Sequence, residues 1–219
     1  GEHHSLQSTT MVTRVTDNEV RTYQGFNRDV ATDIRVLRLR WIERMLLTQQ
    51  LLGHHEVSLA EDWNLDIDWR YTFANARRDE PDRRQVRYDF EPGQDFWFLS
   101  DRPEGNQRVF SGLSDDSHDV GLDLTLHFEQ WSGLEGKLRA GGAVVIKDRT
   151  VDTRRYRFLH KGPISREDEV LTRDPQDIWT PETIGADGFQ LSEVTLDTDN
   201  YTARQRQYAG YASVDLPLV

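Results

Sequence analysis

The chain has 219 residues with 27 Lys and Arg against 38 Asp and Glu, a net charge of −11 that argues against nucleic acid as a partner. No window approaches 18 successive apolar residues, and Gly1-Glu2-His3-His4 has neither a basic leader nor an apolar core, so neither a spanning helix nor a signal peptide is expected. A strand crossing an outer membrane shows lipid only every second side chain, so the membrane stays open, whereas the absence of cysteine removes disulfides, zinc-thiolate sites and thiol catalysis.

In chain order, residues 4–15 alternate weakly and are read as a strand chiefly because the chain must rise before it descends. Leu37 to Ser58 reads best with Leu47, Leu51, Gly53 and Val57 on one face, although Glu43, Gln49 and His55 share that parity. The clearest strand follows, with Leu65, Ile67, Trp69, Tyr71 and Phe73 opposite Asp66, Asp68, Arg70 and Thr72. Ala74 to Phe90 stays strand-like but is polar on both faces. Val120, Leu122, Leu124, Leu126 and Phe128 repeat the pattern, as do Leu138, Ala140, Gly142, Val144 and Ile146. The last strand carries Tyr208, Gly210, Ala212, Val214 and Leu216 on one side and stops at Pro217.

Four apolar faces thus share one length of nine residues. At about 3.3 Å per residue and a tilt of about 40°, that spans roughly 20 to 23 Å, close to an outer-membrane apolar belt. The links fall into two kinds. Ser58 to Asn64 and Glu129 to Gly136 are short, whereas Thr16 to Asp33, Arg77 to Arg108 and Asp148 to Tyr201 are read as long polar loops. Short turns at one rim and long loops at the other is the barrel arrangement, and Trp63, Trp69 and Trp131 would form a girdle at the short-turn rim. The expected fold is all-β: an up-and-down antiparallel meander of about six long strands, with no α-helix longer than about two turns.

Several segments carry a resemblance to a family. Trp69-Arg70-Tyr71 precedes Arg78-Asp79-Glu80-Pro81-Asp82, and Asp148-Arg149 precedes Arg154-Arg155-Tyr156-Arg157-Phe158. Trp179-Thr180-Pro181-Glu182 and Asp199-Asn200-Tyr201 then lead to Tyr208-Ala209-Gly210-Tyr211-Ala212 and Asp215-Leu216-Pro217-Leu218. In this order, over roughly residues 33–219, the series resembles the β-barrel of TonB-dependent outer-membrane receptors. Such barrels have about 22 strands, and nothing here resembles the family's plug, coupling box or terminal aromatic strand. The resemblance implies that residues 1–219 are an open internal segment of a barrel domain in the outer membrane of a bacterial cell. It further implies contact with outer-membrane lipid, the remaining strands and plug as partners, a TonB-type energiser acting through the plug, and an extracellular solute. That solute would be a scarce nutrient such as a metal chelate, a cobalamin or a glycan.

Candidate chemistry is sparse, and neither a cofactor nor a metal is expected. His3-His4 and His54-His55 invite a metal reading, but adjacent strand residues point to opposite faces and cannot chelate as a unit. Asp66 with Asp68, and Lys137 with Arg139, fit a charge lattice better than an acid/base pair. Ser117-His118-Asp119 are chain neighbours, which rarely supply triad geometry. No catalytic residue is assigned. Asp95-Phe96-Trp97-Phe98-Leu99 is costly to expose without a partner. Phe96, Trp97, Phe98, Arg102 and Trp179 are therefore the substrate-binding candidates, against the alternative that the aromatics plug the barrel mouth or pack on a neighbouring loop. Two rival readings remain: a passive porin-like or structural barrel, and a soluble all-β carbohydrate-binding module whose apolar faces would meet a second sheet.

Overall fold

The computed structural model describes residues 3–60, 62–93 and 95–217. Within them the chain forms β1 (His4–Asn27), β2 (Thr32–Ala60), β3 (Trp63–Glu91), β4 (Phe96–Leu99), β5 (Gln107–Glu129), β6 (Glu135–His160), β7 (Phe189–Glu193) and β8 (Tyr201–Asp215). All eight belong to one open antiparallel sheet. β4 continues the column of β5 along β3, and β7 continues that of β8 along β6. The meander therefore has six columns, each beside its neighbour in sequence. Two single-turn helices, α1 (Asp168–Leu171) and α2 (Pro175–Ile178), lie between β6 and β7. Among the described residues no helix is long and apolar enough to cross a membrane, which says nothing about crossing by strands.

Two of the three expected loops are largely strand, and the third begins as one. β1 runs to Asn27 and returns through the four residues Arg28 to Ala31, with Ala31 at φ 56°. β3 runs to Glu91 and β6 to His160. Charge on both faces removed the alternation that marks a strand in sequence, yet a paired ladder needs only backbone partners. Pro81 lies inside central strand β3, where a missing N–H is tolerated at a bulge. Five steps of β3 from Asp79 to Arg84 face four of β2 from Glu43 to Leu39, so β3 carries one extra residue there. The bulge exchanges the parity of β3, placing Arg84, Val86 and Tyr88 on the face that Tyr71 and Phe73 occupy below it.

A conventional hydrophobic core exists only at the long-loop end. Val86, Tyr88 and Leu99 from the sheet, with Phe189 at the start of β7, meet Val170 and Ile178 from the helical segment, which caps the upper sheet. The lower half has no covering layer among the described residues.

Candidate functional site

Residues directly opposite one another in an antiparallel ladder share a face, so the register sorts the lower side chains. Trp63 and Phe128 meet near the short turns. Above them come rows of Val57, Leu65, Leu126, Leu138 and Val214, then His55, Ile67, Leu124, Ala140 and Ala212. Gly53, Trp69, Leu122, Gly142 and Gly210 follow, then Leu51, Tyr71, Val120, Val144 and Tyr208, and finally Gln49, Phe73, His118, Ile146 and Arg206. Leu216 reaches the same face: its Cδ2 stands 3.0 Å from where a Cβ on Gly136 would be. The band ends at the next row, where β2 still carries Leu47 but β3, β5, β6 and β8 carry Asn75, Asp116, Asp148 and Arg204. Ten steps from Trp63 to Phe73, tilted about 40°, give roughly 25 Å of height.

None of these apolar side chains is buried, and Leu122, Val214 and Tyr208 are 45%, 62% and 70% exposed. Burying such a side chain is worth roughly 1.5–3 kcal/mol. Leaving the whole band in water therefore forfeits more than the 5–15 kcal/mol that typically holds a domain together. Of the three tryptophans expected at the short-turn rim, Trp63 lies beside Phe128 at 5.7 Å and Trp131 is 88% exposed there, whereas Trp69 stands higher, in the row of Gly53 and Leu122, because it lies six residues along β3 from Trp63.

Polar atoms on this face are satisfied by one another. Trp69 Nε1 donates to His55 Nε2 at 3.1 Å, so neutral His55 carries its proton on Nδ1, 3.2 Å from His4 Nδ1. Tyr71 Oη lies 2.9 Å from His118 Nδ1, and Gln49 Nε2 donates to Ser8 Oγ at 2.9 Å. The two His-His dipeptides thus meet across strands, His4 with His55 on the apolar face and His3 and His54 with Glu56 on the other. Among the described residues no group of three or more acidic, His or Cys side chains could hold a metal.

The opposite face is a charge lattice. His127 bridges Asp66 at 2.9 Å and Glu135 at 2.6 Å, His54 bonds Asp68 at 2.7 Å, and Arg70 lies 3.7 Å from both Asp119 and Asp123. Toward the long-loop end this face turns basic. Arg44 stands opposite Arg78, and Arg21 opposite Arg38. Arg83 and Arg155 flank Val109, and Arg40 faces Glu19. The sequence assigned none of these arginines to a site: Arg78 and Arg155 stand in segments that carry only the family resemblance, and the others fall in segments read as loops or as weak strand.

The apical candidates do not converge on one pocket. Trp97, opposite Phe90 and 5.2 Å from its ring, lies beneath the Arg35 guanidinium at 4.5 Å and packs on the apical core. Trp179 stacks on Phe158 at 4.7 Å and packs on the same core, its Nε1 without a partner. Phe96 and Phe98 are half-buried, and Phe98 projects to the other face opposite Asp89. Arg102 Nε lies 3.4 Å from Asp89, a carboxylate also held by Ser100 and Arg87. A cleft of about 580 Å³ separates Trp179 and Ile184 from Leu37, Leu39 and Val86. At its rim Arg84 and Arg108 share Asp82, whose carboxyl burial would raise but whose two guanidinium partners hold below its ordinary range. Burial pushes the Tyr88 hydroxyl pKa upward, aided by Asp174, and that hydroxyl donates to the Arg173 carbonyl at 2.6 Å.

Comparison of the chain with protein-family models, with curated proteins and with solved structures finds no match.

Proposed function

We propose that the chain is part of the wall of a large outer-membrane β-barrel, of the TonB-dependent receptor type that its segments resemble. The observation that carries this reading is the exposed apolar band: five adjacent columns, β2, β3, β5, β6 and β8, bear it on one face at one height, backed by a charged face. Outer-membrane lipid would cover the band, and further strands of the barrel would pair with the outer edges of β1 and β8. The sheet above the band, capped by its own core, would stand outside the membrane, where loops over the mouth meet an extracellular solute. In such a receptor the charged face surrounds a plug, and a TonB-type energiser moves the plug to admit a scarce nutrient. No residue of the chain is assigned a chemical step.

The reading is tested by measuring nutrient-dependent growth and solute uptake through the intact protein in cells with and without an active inner-membrane energiser. Uptake that needs the energiser supports the receptor. Uptake that persists without it points to a passive porin-like barrel.

A further inference from the structure

We propose that the inward face near the long-loop end binds a small multivalent oxyanion, a carboxylate- or phosphate-bearing solute, through an arginine belt. The inference deepens the transport reading and rests on that face being the inward one.

The belt runs against the chain's overall charge of −11. Two of its carboxylates are shared between arginines: Glu80 lies 3.0 Å from Arg78 and 3.8 Å from Arg83, and Glu19 lies 2.9 Å from Arg40 and 3.2 Å from Arg21, while Asp17 pairs with Arg44 and Asp199 with Arg155 at 2.8 Å. Arg38 has only the neutral Gln85 Oε1, at 2.9 Å from Nη2 and 3.2 Å from Nε. Arg157 donates only to the carbonyls of Asp101 and Arg102. Positive charge is therefore in excess, and it is compressed. Arg83 is half-buried, and burial together with the like charges of Arg38, Arg155 and Arg40 lowers its pKa. Among the described residues the Nε atoms of Arg40, Arg155 and Arg157 find no acceptor.

A guanidinium offers five donors in a planar fork that matches carboxylate and phosphate oxygens two at a time. An anion with two or more charges placed among Arg38, Arg83 and Arg155 would relieve their repulsion and supply acceptors that the chain itself lacks. A monovalent anion would gain much less.

The probes are pyrophosphate and tricarballylate, titrated by calorimetry into the intact protein in detergent at low and at moderate ionic strength. At least one should bind, more weakly as salt rises. Arg38→Gln and Arg83→Gln should each weaken binding by about tenfold, the loss of a charged hydrogen bond. Arg204→Gln, on the opposite face, should leave it unchanged. The better-bound probe distinguishes phosphate from carboxylate chemistry. Among the described residues Arg38 hydrogen-bonds only to Gln85, so Arg38→Gln, checked for unchanged strand content by circular dichroism, decides the matter if Arg83→Gln loses strand content. Absence of binding to the unmodified protein, unchanged binding in Arg38→Gln, or an equal loss in Arg204→Gln would overturn the proposal. Lipid contact by the band is measured separately, so binding without it removes the barrel and leaves the anion site standing.

Discussion

Trp69 lies across Gly53 on the neighbouring strand, its indole filling the space of a side chain: a Cβ on Gly53 would stand 2.2 Å from the ring. That placement carries Nε1 to His55. An aromatic ring covering a cross-strand glycine restores packing that the glycine lacks, and it explains how a histidine sits on an apolar face.

Gly53→Ala should therefore displace Trp69 and break its bond to His55, at a cost of about 1–3 kcal/mol from overpacking. Gly142→Ala is the control in the same row, since a Cβ there meets only the Ala209 carbonyl at 3.4 Å. Urea unfolding in detergent micelles should show a large shift for the first and a small one for the second.

Leu124 occupies the row of Ile67, near the middle of the band. Leu124→Arg should destabilise the intact barrel in a bilayer by about 2–4 kcal/mol. Thr125→Arg, one residue along and on the charged face, should cost far less. Equal effects in a lipid refolding titration would mean that neither face meets lipid.

His160 links the sheet to the apical cap. Its ring sits edge-on to Phe189 at 4.9 Å, and its Nε2 is buried without a partner. Burial lowers its pKa, against the pull of Asp101 and with Arg157 and Arg166 adding to the fall. A histidine whose folded pKa is depressed contributes stability above its unfolded value, near 6.5, and loses it as pH falls through the folded value. The protection factors of Val170 and Ile178 against hydrogen exchange, taken relative to the intrinsic rate at each pH, should fall between about pH 7 and pH 5. In His160→Phe that fall should shrink.

Trp97 and Phe98 should behave differently although they are neighbours. Trp97→Ala removes a half-buried wall of the apical core and should cost about 2 kcal/mol of cap stability. Phe98→Ala leaves that core intact and should affect cap exchange much less. An unchanged cap in Trp97→Ala would return Trp97 to the candidates for solute contact.

Much of the lower sheet was legible in the sequence because one face bears apolar side chains at period two. Leu65 to Phe73 and Val120 to Phe128 fall on the shared face expected of them, and the two short turns lie where they were placed. The upper sheet was legible only in part: Ala74 to Phe90 reads as strand and β3 runs to Glu91, but its faces could not be told apart. On β6, Arg155 and Arg157 are interleaved with Arg154 and Tyr156, so little two-sided contrast survives, whereas Arg38 and Arg40 on β2 alternate with the apolar Leu37, Leu39 and Trp41, a contrast that Glu43 on the same parity interrupts. Pro81 broke the parity of β3 with an extra residue, which separated Arg78 from Arg83 in any period-two count. The pairing of His4 with His55 depends on strand register, which neither dipeptide encodes.

The most direct test of a lipid-facing band uses the absence of cysteine, which lets single cysteines be introduced and spin-labelled one at a time. Labels at each position from Val120 to Phe128, with the intact protein in lipid vesicles, would be scanned for collision with oxygen and with a water-soluble nickel chelate. The account predicts strict alternation, with oxygen favoured at Val120, Leu122, Leu124, Leu126 and Phe128, and the nickel chelate favoured at Gly121, Asp123, Thr125 and His127. Nickel access at every position, or no period of two, would contradict it.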